Sequence, residues 1–157
     1  MTETAIEAFC RRALLAILAF GFVGTEVELF LLKHTDGVFQ WVPLVLLALG
    51  LIVTAWCAWQ PGTAAIHAMR TLMVVFIVSG GVGVVQHFRG NVDYARDSNP
   101  SLSGMALYRE AIVGSTPALA PGTMVQFGLL GLLFTFRHPA TRRPARQGTA
   151  STEDSPR

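Results

Sequence analysis

The chain has 157 residues, 52% of them apolar and 14% charged, with a formal net charge of +2. A soluble domain carries about a quarter charged residues, so this composition, with a mean hydropathy of +0.47, leaves too little polar surface to cover a water-soluble globule. The small net charge and the lack of a basic stripe interleaved with aromatics argue against a nucleic-acid partner.

The apolar residues gather into four blocks, each read as a membrane span within one domain. After an N-terminal segment (1–12) that ends on Arg11 and Arg12, the first block covers residues 13–32. Its twenty residues match the roughly 30 Å hydrocarbon core at about 1.5 Å per residue. A cleaved signal peptide is the main competing reading, but the apolar character resumes beyond Glu28 and no small-x-small cleavage site is visible. A short loop (33–40) leads to the second block, 41–59, which contains no charge and has Trp41 at one end and Trp56 and Trp59 at the other. Indole rings favour the headgroup level, so these tryptophans mark both interfaces.

Gln60-Pro61-Gly62 then breaks the helix. A loop (60–71) precedes the third block, 72–88, which is rich in Val and Gly and too long for a buried strand. The long connection 89–118 is read as a loop, polar from Asn91 to Asp97, turning at Asn99-Pro100, with an interfacial helix over 102–113. The fourth block, 119–136, stops at Arg137-His138-Pro139, and the Arg-, Pro-, Ser- and Thr-rich tail 137–157 has too few apolar residues to order itself. The expected fold is an all-α, polytopic four-helix transmembrane bundle in the cell membrane.

Basic residues resist translocation, and so they set the orientation. With the N-terminus inside, Arg11, Arg12, Arg70, Arg137, Arg142, Arg143, Arg146 and Arg157 lie on the cytoplasmic side. Lys33, Arg89, Arg96 and Arg109 lie outside. The expected topology is therefore N-in and C-in. It puts Cys10 and Cys57 at the reducing inner face; neither belongs to a CxxC, and both are read as unreactive thiols.

Glu26 and Glu28 are the most informative residues. They lie roughly 9 Å and 6 Å below Leu32 by helical rise, where an unpaired carboxylate costs about 1–3 kcal/mol to insert. Gln126 reaches a similar depth in the fourth span, Gln86 and His87 lie at the outer end of the third, and His34 lies just past the first. Acid, amide and imidazole groups thus sort to one outer layer, while the inner halves are nearly all apolar. Gly80, Gly83 and His87 share a face of the third helix. Small residues allow close helix approach, so this face is expected to pack on Gly21 and Gly24 of the first. Glu28 continues the Gly21/Gly24 face and is the expected inward carboxylate. Glu26, two residues away, is expected to face another helix or to reach Lys33 or Arg89.

The candidate site is therefore Glu28 and His87, with His34, Glu26 and Gln126 around it and Arg89 and Asp93 gating it from the outer loop. Carboxylate plus neutral imidazole suits a divalent metal, for which Glu28 and His87 are the candidate ligands; a proton relay or a quinone head group would use the same atoms. A polar pair that only fixes helix register is the plainer reading. No HExxH or Glu-x-x-His motif is present, and no cofactor is expected outright. His67 and His138 are read as solvated flanks, which leaves no second imidazole for a haem inside the bundle. Three roles remain open: an accessory or assembly subunit with a membrane-protein partner or a second copy of itself, a proton-linked or small-solute transporter component, and a metal- or quinone-binding redox protein.

Overall fold

The computed structural model describes residues 4–114 and 116–141, and most of the tail expected to be disordered, 142–157, lies outside the described residues. Among the described residues five helices follow one another: α1 (Ala5–Leu31), α2 (Val38–Trp59), α3 (Thr63–Ser98), α4 (Gly104–Val113) and α5 (Gly122–Thr135), with a 3₁₀ turn at Pro139–Thr141. No strand occurs among the described residues. By length and composition α1, α2 and α3 can each cross a membrane. At 14 residues, α5 is shorter and extends about 21 Å.

Local chemistry explains why two of these helices overrun the apolar blocks. α1 starts well inside the segment expected to precede the first span, because Thr4 and Glu7 form a capping box. The Thr4 hydroxyl accepts from the Glu7 N–H at 3.2 Å, and the Glu7 carboxylate accepts from the Thr4 N–H at 2.9 Å. α3 is 36 residues long and absorbs both 63–71 and 89–98, which were expected as loops. Polar residues alone do not end a helix. Between Gly62 and Asn99-Pro100 there is no proline and no paired breaker beyond the apolar core, so the helix simply leaves the apolar layer and continues. α1 and α5 are each followed by a basic residue in the left-handed region, Lys33 at φ 52° and Arg137 at φ 48°. That conformation costs about 1–2 kcal/mol without glycine, and a cation there complements the helix C-terminus.

α3 is the central element, and its closest partner is α5. A Cβ on Gly80 would fall 2.8 Å from the Pro121 carbonyl oxygen, one on Gly83 2.7 Å from Pro121 Cβ, and one on Gly128 2.7 Å from the Met73 carbonyl oxygen. The small-residue face of α3 therefore receives the start of α5 rather than Gly21 and Gly24 of α1. Gly21 instead meets the Phe127 ring, and Gly24 faces open space. The expected pairing fails because α5, with glycines of its own, fits the α3 surface from both sides.

Arginines fasten α5 at its far end. Arg11 donates to the Phe134 carbonyl at 2.7 Å and also to those of Phe136 and Arg137, while Arg70 donates to the Thr135 carbonyl at 3.1 Å. α5 thus ends where α1 and α3 begin, antiparallel to both, and guanidinium groups satisfy carbonyls that the helix leaves open. The chain stays ordered past this point. Thr63 donates to the Ala140 carbonyl at 2.7 Å, and His138 is buried with its ring 5.2 Å from that of Phe134. Residues 137–141 belong to the fold, and His138 is not the solvated flank expected; its ring packs on Phe134 and its Nδ1 accepts from the Ala140 N–H at 3.2 Å.

The core runs through Leu18, Phe22, Leu47, Met69, Met73, Phe76 and Phe134. Phe22 packs against Phe76 at 5.3 Å and edge-on against Phe127 at 5.0 Å between ring centroids.

The glycine contacts generate a test. Gly80→Ala and Gly128→Ala should each destabilise the protein in detergent by about 1–3 kcal/mol, because backbone oxygens cannot yield as side chains do. Gly24→Ala, facing open space, should be neutral or stabilising by about 0.5–1 kcal/mol. Denaturant or thermal unfolding of the three variants checks the ranking.

Candidate functional site

Helix phase separates the two glutamates. Leu18, Phe22, Glu26 and Leu29 lie on the inward face of α1, where Leu18 and Phe22 are buried and Glu26 and Leu29 half-buried. Glu26 sits one turn beyond Phe22 on the same face of α1. Its Oε2 is buried and has no hydrogen-bond partner among the described residues. Glu28 is exposed, on the open side of Gly24. The inward carboxylate is Glu26 and not Glu28; the choice of Glu28 followed from pairing Gly21/Gly24 with α3, and α5 occupies that role. Gln126 also points outward, being exposed on α5.

The two imidazoles do come together. The His34 and His87 ring centroids are 6.4 Å apart, one ring from the α1–α2 connection and one from α3. His87 Nδ1 lies 3.1 Å from the Pro117 carbonyl oxygen. A carbonyl can only accept, so Nδ1 carries the proton and Nε2 keeps the lone pair of the neutral ring. Burial lowers the His34 pKa below 6.5, and charge on His87 lowers it further. The pair sets two imidazoles at one level, where either could offer a nitrogen to a metal, while Glu28 is exposed on α1. Among the described residues, no group of three or more His, Cys, Asp or Glu side chains could hold a metal ion.

Arg89 and Asp93, expected to gate the site from a loop, are one turn apart on the exposed side of α3. They border a shallow groove of about 580 Å³ with Gln86 and Gly90, and do not close over the imidazoles. A second groove, about 430 Å³ and mainly apolar, opens between α3 and α4, with Val84, Phe88, Arg89, Tyr108, Ile112 and Leu119 along it.

The residue that organises this end of the molecule was not foreseen. Asn91, 2% exposed, donates to the Ala111 carbonyl at 2.9 Å and the Thr116 carbonyl at 2.7 Å, and accepts from the Thr116 N–H at 3.2 Å. One amide thus holds α4 and the connection to α5 against α3, with its donors and acceptor used. The signal lay in spacing: Gly80, His87, Asn91 and Ala95 continue one helical face past the end of the apolar block. Arg11 and Arg70, read only as orientation markers, are likewise hydrogen-bonding partners of α5.

Compared with models of protein families, with curated proteins and with solved structures, the chain matches none.

Two measurements follow from these contacts. Asn91→Ala orphans buried groups worth about 1–3 kcal/mol, so amide exchange should accelerate across α4 and 114–118 while the α3–α5 contact around Gly128 stays protected. His34 should titrate below 6.5 by NMR and shift upward in His87→Gln. Since folding depresses its pKa, the unfolded chain binds the proton more readily, and stability falls as pH drops below 6.5 through the folded value. A His34 pKa unchanged in His87→Gln would remove the electrostatic coupling.

Proposed function

We propose that the chain is a four-span, N-in/C-in protein of the cell membrane that serves as an accessory or assembly subunit and does not itself enclose a transport path. The carrying observation is the ring cluster of Phe22, Phe76 and Phe127. Phe22 lies roughly 15 Å below Leu32 by helical rise, half the thickness of the hydrocarbon core. Aromatic rings fill the bundle at its midplane, and Met69, Met73 and Phe134 continue the filling toward the arginine end. A solute path needs polar groups or water at that level.

The return of α5 to the end where α1 begins supports an even number of passes. Its short helix, extended by the apolar residues around it in 119–136, matches a bilayer that thins or wets locally beside it. Ile17, Phe20, Val23, Val27 and Phe30 of α1 remain exposed, which gives the bilayer, a partner membrane protein or a second copy a continuous apolar face.

One observation favours a second reading, a proton-linked transporter component: the unpartnered Glu26 oxygen one helical turn beyond Phe22. Buried intramembrane carboxylates are typical of proton pathways.

Reconstituted protein should pass no more protons than protein-free vesicles, and Glu26→Gln should change nothing. Flux that Glu26→Gln abolishes would establish the second reading instead. A photo-crosslinker at Phe20 should yield one product of defined mass, either a partner or a dimer. In intact cells lacking Cys10, an impermeant maleimide should label Ser101→Cys and spare Ser151→Cys. The reverse pattern would invert the orientation, and labelling of both would overturn the even number of passes.

A further inference from the structure

We propose that the groove between α3 and α4 is a binding site for an anionic phospholipid, with the phosphate on Arg89 and an acyl chain along Val84, Phe88, Ile112 and Leu119. The inference rests on the membrane reading above and goes beyond it by assigning a ligand class.

Depth gives the first argument. Phe76 touches Phe22 at the midplane, and Arg89 lies thirteen residues further along the same helix, roughly 20 Å away. The half-thickness of the hydrocarbon core is about 15 Å, so the guanidinium reaches the level of the lipid phosphates while Val84 stays among the chains. Charge gives the second. Among the described residues, Arg89 is the one charged residue lining this groove, and its guanidinium makes no hydrogen bond or ion pair with any of them. A planar guanidinium binds phosphate through paired hydrogen bonds, and the Tyr108 hydroxyl on the opposite wall offers a further donor.

Construction gives the third. The groove is apolar and open along one side, with a volume of about 430 Å³, and its far wall is held by a buried amide rather than by packing alone. Phe88 and Tyr108, 5.7 Å apart, bridge the two walls. The larger groove on the other side of Arg89 includes Asp93, whose carboxylate repels phosphate, so the lipid belongs on the α4 side.

Native mass spectrometry of the full chain, released from detergent with phosphatidylglycerol or phosphatidylcholine, tests the site. One phosphatidylglycerol should be retained in preference, and Arg89→Gln should weaken it about tenfold, the scale of one lost charge-assisted contact. Arg96→Gln, beyond the groove on α3, should keep wild-type retention. Ile112→Trp, which fills the apolar track and leaves Arg89 intact, should lose it. Equal retention of the two lipids, or equal losses in Arg89→Gln and Arg96→Gln, overturns the site. Displacement by chain-free glycerol phosphate also overturns it, since a phosphate site would then suffice. Alkaline carbonate extraction of the source membranes separates the two levels. Protein that stays in the pellet but shows no lipid preference refutes only the lipid site, whereas protein released into the supernatant refutes the membrane reading as well.

Discussion

The close approach of α3 and α5 is the constraint from which the other contacts follow. Gly80 and Gly83 admit the start of α5 at Pro121, and Gly128 lets the Met73 carbonyl come against its backbone. Backbones this near leave no room for alternative rotamers between them, so the axial register of α5 is fixed to within a side chain. For helices long and apolar enough to cross a membrane, such fit carries more weight in lipid than in water, because apolar surfaces gain little by leaving hydrocarbon.

Once α5 is registered, both of its ends become useful. Its C-terminal carbonyls come within reach of Arg11 and Arg70 on two different helices, which adds a polar tie to the apolar packing of α1 through Leu18 and Phe22. Its N-terminal approach brings the Pro117 carbonyl to His87 and the Thr116 peptide to Asn91. The polar chemistry at the two ends thus differs in kind. At the arginine end, charged side chains satisfy a helix terminus. At the α4 end, a neutral amide fixes a connection and leaves two imidazoles facing each other. Between them lies the Phe22, Phe76 and Phe127 cluster, with the unpaired oxygen of Glu26 one helical turn beyond Phe22. The arrangement separates a closed apolar middle from a chemically diverse rim, and places the candidate site and the lipid groove on that rim.

Much of this was legible in the residues. The apolar blocks, the Trp bracket around α2, and the concentration of acid, amide and imidazole groups toward one end all come from composition and helical rise. His34 and His87 were within reach of that reasoning because both sit at the same level. Which glutamate faces inward was not, since Glu26 and Glu28 lie on opposite sides of one helix and only the neighbour decides which side is inside. Asn91 was lost for a related reason: polarity was taken to mean a loop, although nothing in 89–98 breaks a helix.

The sequence by itself determined an all-helical chain with four apolar blocks, because hydrophobic length and proline and glycine breaks act locally and need no partner; that three of the helices are long and the fourth short came from the structure. It also placed the polar groups by depth, a coordinate that runs along each helix. Only the tertiary structure decided the azimuth. That Gly80 and Gly83 meet α5 and not α1, that Glu26 turns inward while Glu28 turns out, and that Asn91 is buried are all rotations about helix axes. They depend on which surfaces fit each other best, and complementarity between two surfaces is not a property that either helix carries alone.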